Sequence, residues 1–155
     1  MENDIKISKE VVNRHDNRVF AMQLIYASEI APEKSPEHLW EELLEMLHGS
    51  GNVNSYEFSR SLFMGTMAHR EEIDNLLKSF LTNWKISRLA RVDLAILRLA
   101  IFEMLHCDNI PAVVSIDEAI ELSKQYSTAD SRRIVNGILD QLKRQLSDGE
   151  KTNTN

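Results

Sequence analysis

The sequence predicts an all-α protein of six to seven helices, in two small helical subdomains packed round a central hydrophobic helix. Three observations carry this. First, Ser87–Cys107 reads SRLARVDLAILRLAIFEMLHC, and from Leu94 to Leu105 only Arg98 and Glu103 are not apolar. A surface helix shows an apolar stripe, whereas one apolar nearly all round is enclosed by its neighbours. At about 1.5 Å per residue such a helix is roughly 30 Å long, the width of a small domain. Second, five glycines and three prolines in 155 residues leave few breaks, which favours long helices. Third, no strand-like alternation of useful length and no internal repeat occurs. A membrane span is set aside, because the apolar runs stop at three or four residues, against the ~18 a span needs.

The length fits one domain over 1–150, divided into helical subdomains over 8–82 and 84–148, with a flexible polar tail over 149–155. A net charge of −6 lacks the basicity usual for nucleic-acid binders, so any RNA contact needs a local basic patch. One cysteine excludes an internal disulfide and fits a reducing compartment. The start, MENDIKISKE, has charges where a signal peptide carries its apolar core, so a cytoplasmic location is expected.

Taken in order, Lys9–Ile30 has helical spacing, with Ser8 available as N-cap. Arg14 and Arg18 stand four residues apart on one face of it. Ser35 can cap a second helix, Pro36–Leu47, whose first position suits proline. That helix buries Leu39, Trp40, Leu43, Leu44 and Leu47, and turns Glu37, Glu41, Glu42 and Glu45 outward. HGSGNVN lacks the Lys-Ser/Thr ending of a phosphate loop and reads as a helix terminator. Asn54 with Glu57 forms a capping pair for a third helix. Gly65 interrupts its pattern, which resumes at Ile73, Leu76, Leu77, Phe80 and Leu81, giving one bent helix or two short ones. Asn83 and Ser87 then offer caps for the central helix. CDNIP ends it. Ser115 with Glu118 resembles a capping box, so the next helix starts at Ile116 or earlier at Ala112, and runs to about Tyr126. STADS holds several caps for a last helix with Val135, Ile138, Leu139, Leu142 and Leu146 as its stripe, ending at Gly149.

Catalysis needs a nucleophile beside a base, carboxylates in contrasting environments, or metal ligands at a recognisable spacing. The five histidines, His15, His38, His48, His69 and His106, are scattered, and HExxH, GxGxxG and Walker patterns are absent. His106 and Cys107 are adjacent, which sets their side chains about 100° apart on a helix. No catalytic residue and no metal ligand is therefore expected. Arg98 is read as a structural ion pair. Glu103 lies about 140° round the helix from it, so Asp117, Glu118 or Glu121 of the following helix are the expected partners. Asn136 and Gly137 are poor helix formers in mid-helix. A close helix crossing that only Gly permits is the expected reason, with Asn136 bridging backbone groups across it.

LARVDLAILRLAIFEML, then IPAVVSIDEAIELSKQY, then DSRRIVNGILDQL resembles the NusB family of bacterial transcription antitermination factors. The pattern is continuous over residues 84–142, and RVFAMQLIY and GTMAHREEIDNLL are similar to the family's first and third helices. The resemblance implies two helical subdomains, no cofactor, and an RNA-binding adaptor rather than an enzyme. Its implied partners are boxA RNA, the small-subunit ribosomal protein NusE and the transcription elongation complex, in ribosomal RNA operons above all. It also implies that RNA is held by the arginine-rich start of the first helix and by the loop and first turn of the last. Carried across residue by residue, the first region is Arg14, His15 and Arg18, with Gln23 and Tyr26 matching the family's Q-x-x-Y. The second is Asp130, Ser131, Arg132 and Arg133. Here His15 and Asp16 occupy positions where further basic residues are common.

Each lost phosphate contact removes a counterion-release contribution. Single-stranded RNA is read by base edges and stacking, for which Tyr26, Gln23 and the arginine planes are suited. The expectation is weak RNA binding by the chain alone and dependence on its protein partner. A positive charge in the first turn, as at Arg132 and Arg133, opposes the helix dipole, which favours a functional use. The rival reading is a purely protein-binding adaptor or homodimer whose RNA surface has decayed. Kinship with the helical domain of ribosomal RNA cytosine methyltransferases is disfavoured, because no catalytic domain accompanies it.

Overall fold

The computed structural model describes residues 13–47, 56–81 and 85–153. Among them are seven α-helices and no strand. The helices are α1 (Arg14–Ile30), α2 (Pro36–Leu47), α3 (Glu57–Ala68), α4 (Arg70–Phe80), α5 (Arg91–His106), α6 (Ala112–Tyr126) and α7 (Ala129–Asn153). No helix among the described residues is long and apolar enough to cross a membrane. The chain divides into two compact units, Met1–Ala68 and His69–Asn155. Helix α4 belongs to the second of these units.

In the first unit α1 packs on α2 and α3. Its core comprises Ala21, Met22, Leu24 and Ile25 of α1, Leu39 and Trp40 of α2, and Leu62 and Phe63 of α3. Helix α1 begins later than the spacing predicts. Asn13 caps it, its Oδ1 accepting the Asp16 N–H at 2.9 Å, and Ser8 and Lys9–Val12 lie outside the described residues. Helix α2 begins as predicted, with Ser35 Oγ accepting the His38 N–H at 3.1 Å. Leu43 and Leu44 are half-buried rather than buried. The Leu47 side chain, the HGSGNVN loop and the Asn54 cap fall outside the described residues. The third pattern is two helices, and the break is at His69 instead of Gly65.

A polar residue ties α1 to α3. Asn17, buried on α1, accepts the Ser59 N–H at 2.9 Å, and the Ser59 hydroxyl lies 2.7 Å from Asn17 Oδ1 and 2.8 Å from its carbonyl. Ser59 is in the first turn of α3, where N–H groups have no partner within their own helix. Asn17 therefore caps α3 from outside, while its Nδ2 donates to the Asn13 carbonyl at 2.9 Å.

The second unit is built on α5, which packs against α4, α6 and α7. Every residue from Asp93 to Glu103 is buried. The helix starts at Arg91 rather than Ser87. A 3-10 turn, Ile86–Arg88, precedes it, and the extended backbone of Leu89 (φ −71°, ψ 141°) separates the two. Ser87 is exposed and caps nothing in α5.

Burying charge without a partner is costly, so each polar residue of α5 needs one. Asp93 accepts from the Ser127 hydroxyl at 2.6 Å, and Glu103 from the Ser115 hydroxyl at 3.1 Å. Arg98, 3% exposed, forks onto Asp74, with Nε to Oδ1 at 2.9 Å and a terminal nitrogen to Oδ2 at 3.0 Å. One partner of Arg98 thus comes from α4, a helix that the spacing did not point to. Glu121 meets Lys124 at 3.2 Å, and Glu118 is half-buried. Ser115 is likewise no cap, because α6 already begins at Ala112 behind Pro111. Among the described residues no buried side-chain polar atom lacks a hydrogen bond.

Two expectations about α7 are overturned. Gly137 and Asn136 are exposed, and a Cβ added at Gly137 meets nothing within 4 Å, so no helix crosses there. Helix α7 also continues past Gly149 to Asn153. A single glycine costs a helix only about 1 kcal/mol, which its helical neighbours offset.

Candidate nucleic-acid interface

The first candidate segment is the solvent face of α1. At about 100° per residue, His15, Gln23, Tyr26 and Ile30 fall within an arc of roughly 80°. Gln23, Tyr26 and Ile30 are exposed and His15 is half-buried. Tyr26 keeps 39% of its surface open, enough to present a ring face to solvent. The arc offers an imidazole, an amide and a phenol on one stripe, the equipment for reading and stacking unpaired bases.

The two arginines of the segment behave differently. Arg14 is exposed and lies over the Phe58 ring at 4.4 Å from its centroid. Arg18 approaches the same ring at 5.4 Å, yet is only 3% exposed and belongs to the buried arc with Asn17, Ala21 and Ile25. Cation–π contacts of this kind contribute about 0.5–1 kcal/mol when exposed and more when dry. Phe58 and Asn17 thus order the start of α1, leaving Arg14 as the arginine available to a phosphate. Nearby, Tyr56 packs edge-on against Phe20 at 4.9 Å. Burial, and then the Asp16 carboxylate, push its hydroxyl above the usual phenol range.

The second candidate segment opens α7. Thr128 is its cap: Oγ1 accepts the Ser131 N–H at 3.2 Å and lies 3.1 Å from the Ser131 hydroxyl. The Thr128 carbonyl accepts the Arg132 N–H at 3.1 Å. Asp130 and Arg133 are exposed, while Ser131 and Arg132 are half-buried. Asp130 in the first turn suits the helix dipole, whereas the arginines oppose it. The two candidate segments belong to different units, and each is preorganised by contacts within its own.

The outer face of α2 is the counterexample. Glu37, Glu41 and Glu45 are exposed. Lys34 bonds Glu42 at 2.9 Å, which holds the Glu42 carboxyl below its ordinary range and the Lys34 amine above its own. His38 adds a 3.1 Å contact to the same carboxylate. A phosphate backbone finds no seat on such a face.

The NusB family profile matches residues 15–144, which includes α1 from its second residue onward, the start of α7 and all of α5. The chain belongs to the NusB family. The transcription antitermination protein NusB of Acetivibrio thermocellus is 42% identical over 128 residues, covering 83% of this chain and 86% of that protein. Among solved structures, NusB of T. maritima has a TM-score of 0.75 at 34% identity, covering 83% of this chain and 89% of that one. A crystal structure of antitermination factors NusB and NusE in complex with dsRNA has the same TM-score of 0.75 at 25% identity, covering 85% and 96%.

Asn17 and Phe58 escaped the sequence reading. Asn17 looks like one more polar break in the stripe, and only the Asn17–Ser59 pairing across 42 positions reveals its use. Phe58 reads as ordinary core, although the two-arginine spacing on α1 was a signal that one shared acceptor face could serve both.

Proposed function

We propose that this chain is a transcription antitermination factor which, together with the small-subunit ribosomal protein NusE, holds boxA-type RNA and so promotes transcription of ribosomal RNA operons. Membership of the NusB family carries the reading. It is a binding role without catalysis, exercised in the cytoplasm as part of the elongation complex. RNA contacts fall to Arg14, His15, Gln23 and Tyr26 on α1 and to Asp130, Ser131, Arg132 and Arg133 at the start of α7, with Arg18 bracing the first group from below.

Few exposed arginines serve a chain of net charge −6, so the counterion-release contribution is small. The isolated chain therefore binds RNA weakly and the ribosomal partner supplies the missing affinity. A mobility-shift titration with boxA and scrambled RNA, with and without NusE, tests this. The expected result is a boxA-selective shift that strengthens sharply when NusE is present. Nanomolar boxA binding by the chain alone, with a steep salt slope, contradicts the dependence on a partner. Failure to shift boxA even with NusE favours the purely protein-binding adaptor instead.

A further inference from the structure

The interface of α4 and α5 contains a group that neither the RNA reading nor the packing requires. Arg98, Phe102 and His106 follow one another at four-residue intervals, so they line the face of α5 that meets α4. Arg98 is consumed by Asp74. At the other end of the line, His106 Nε2 lies 3.3 Å from both carboxylate oxygens of Glu72, and His69 Nδ1 lies 3.3 Å from Glu72 Oε2. The ligand-capable atoms of His69, Glu72 and His106 all fall within 4.8 Å of one another. Glu72 stands 34 positions from His106 in sequence, so no spacing rule exposes the cluster.

We propose that His69, Glu72 and His106 form a site for one borderline divalent transition-metal ion of the zinc class. Two imidazoles and a carboxylate are a donor set that Zn2+ accepts at about 2.0–2.2 Å, with water completing four-coordination. Two ligands on bonds near 2.05 Å in a tetrahedron stand about 3.3 Å apart, the separation Glu72 has from each histidine. That distance is long for a hydrogen bond to a carboxylate, which favours 2.7–2.9 Å when charged. Hard cations such as Mg2+ demand an oxygen shell that this cluster does not offer.

The rings need one adjustment. His69 and His106 stack at 3.9 Å with 24° between their planes, so their in-plane lone pairs run side by side. A turn of either ring about its outer torsion makes them converge. His69, Glu72 and His106 have side-chain exposures of 41%, 51% and 30%, which leaves room for that turn. Phe102 limits it from the protein side, lying 5.9 Å from the His69 ring and 5.5 Å from that of His106. The bound ion would clasp the start of α4 to the end of α5.

Calorimetric titration of the untagged, chelator-stripped full chain with ZnCl2 tests the proposal. The expected result is one saturable Zn2+ per chain with micromolar or tighter affinity, and a melting temperature that rises with Zn2+ and returns on adding a chelator. His69→Asn and His106→Asn should each weaken binding by more than about 100-fold, beyond what loss of an outer-shell partner alone produces. Their circular dichroism spectra should match the parent, since both rings are partly exposed. Co2+ should give the intense visible bands of a tetrahedral site in the parent and lose them in both variants. Absence of saturable binding overturns the site. So does unchanged binding in the doubly substituted chain, which would place the ion on His15, His38 or His48.

Discussion

Helices α5 and α1 each bury three polar residues, and the difference between them separates scaffold from site. On α5 eleven consecutive residues are enclosed, and its charges are spent inside the unit on Asp74, Ser115 and Ser127. On α1 only one arc is enclosed, and Asn17, Arg18 and Phe58 fix the position of a second arc that carries His15, Gln23 and Tyr26. Full enclosure makes the stretch Asp93–Glu103 of α5 strongly patterned in sequence and leaves it no face for a ligand. Partial enclosure makes α1 weakly patterned and open to a ligand. Position along the helix decides the fate of each arginine: Arg14 reaches the end, Arg18 does not.

Removing the brace of α5 should have the largest effect. Asp74→Ala removes the carboxylate that accepts two hydrogen bonds from a guanidinium that is 3% exposed, and breaking a buried pair from one side costs about 3–5 kcal/mol. The partial exposure of Asp74 places this case near 3 kcal/mol, read by urea denaturation. The replacement Arg98→Met keeps the volume without the charge and should cost clearly less. In the other unit, Asn17→Ala leaves the Ser59 N–H without its acceptor and should cost about 2 kcal/mol. Because Asn17 also orients the start of α1, the same variant should weaken RNA binding by the partner-bound chain. Asp74→Ala should leave RNA affinity unchanged under conditions where the variant is folded. If the two variants affect RNA equally, the division into scaffold and site fails.

A smaller effect of opposite sign is expected at Gly137. An alanine there meets open space and should raise stability by up to about 1 kcal/mol, seen as a higher urea midpoint with an unchanged slope. A loss of stability would restore the close packing that the structure denies. The smallest effect belongs to the exposed Lys34–Glu42 pair. The carboxyl of Glu42 is held below its ordinary range, so its contribution is present at neutral pH and fades as acid titrates it through that lowered value. Lys34 is held above its own, so its share is lost only in strong alkali. Solvent screens both, so Glu42→Gln should lower the neutral-pH melting temperature only slightly and leave the acid one unmoved.

Much of the scaffold could be read from sequence because it depends on local rules. The all-round apolar run of α5, the Ser35–Pro36 start of α2 and the end of α6 at Tyr126 follow from periodicity and capping. Starts were harder where two signals competed. Ser87 and Ser115 are good caps in isolation, but the extended Leu89–Ala90 step and Pro111 took those roles. Partners distant in sequence stayed hidden for a different reason. Arg98 and Asp74, Asn17 and Ser59, and Glu72 and His106 meet only because helices pack, and no spacing within one helix encodes them. The candidate RNA residues were named through family resemblance. Which of them face solvent came from the burial of Arg18 and the exposure of Tyr26 and Gln23.

The salt dependence of boxA binding tests the assignment of the RNA-facing residues most directly. It should be measured on the NusE-bound chain and on the same complex carrying Arg14, Arg132 and Arg133 changed together to Ala. Three phosphate contacts to single-stranded RNA account for a slope of about 2 in log affinity against log salt. The variant should lose about that much slope and bind boxA more weakly at low salt, while its melting temperature stays close to the parent's. An unchanged slope and affinity would show that these arginines do not touch the RNA and that the interface lies elsewhere on the chain.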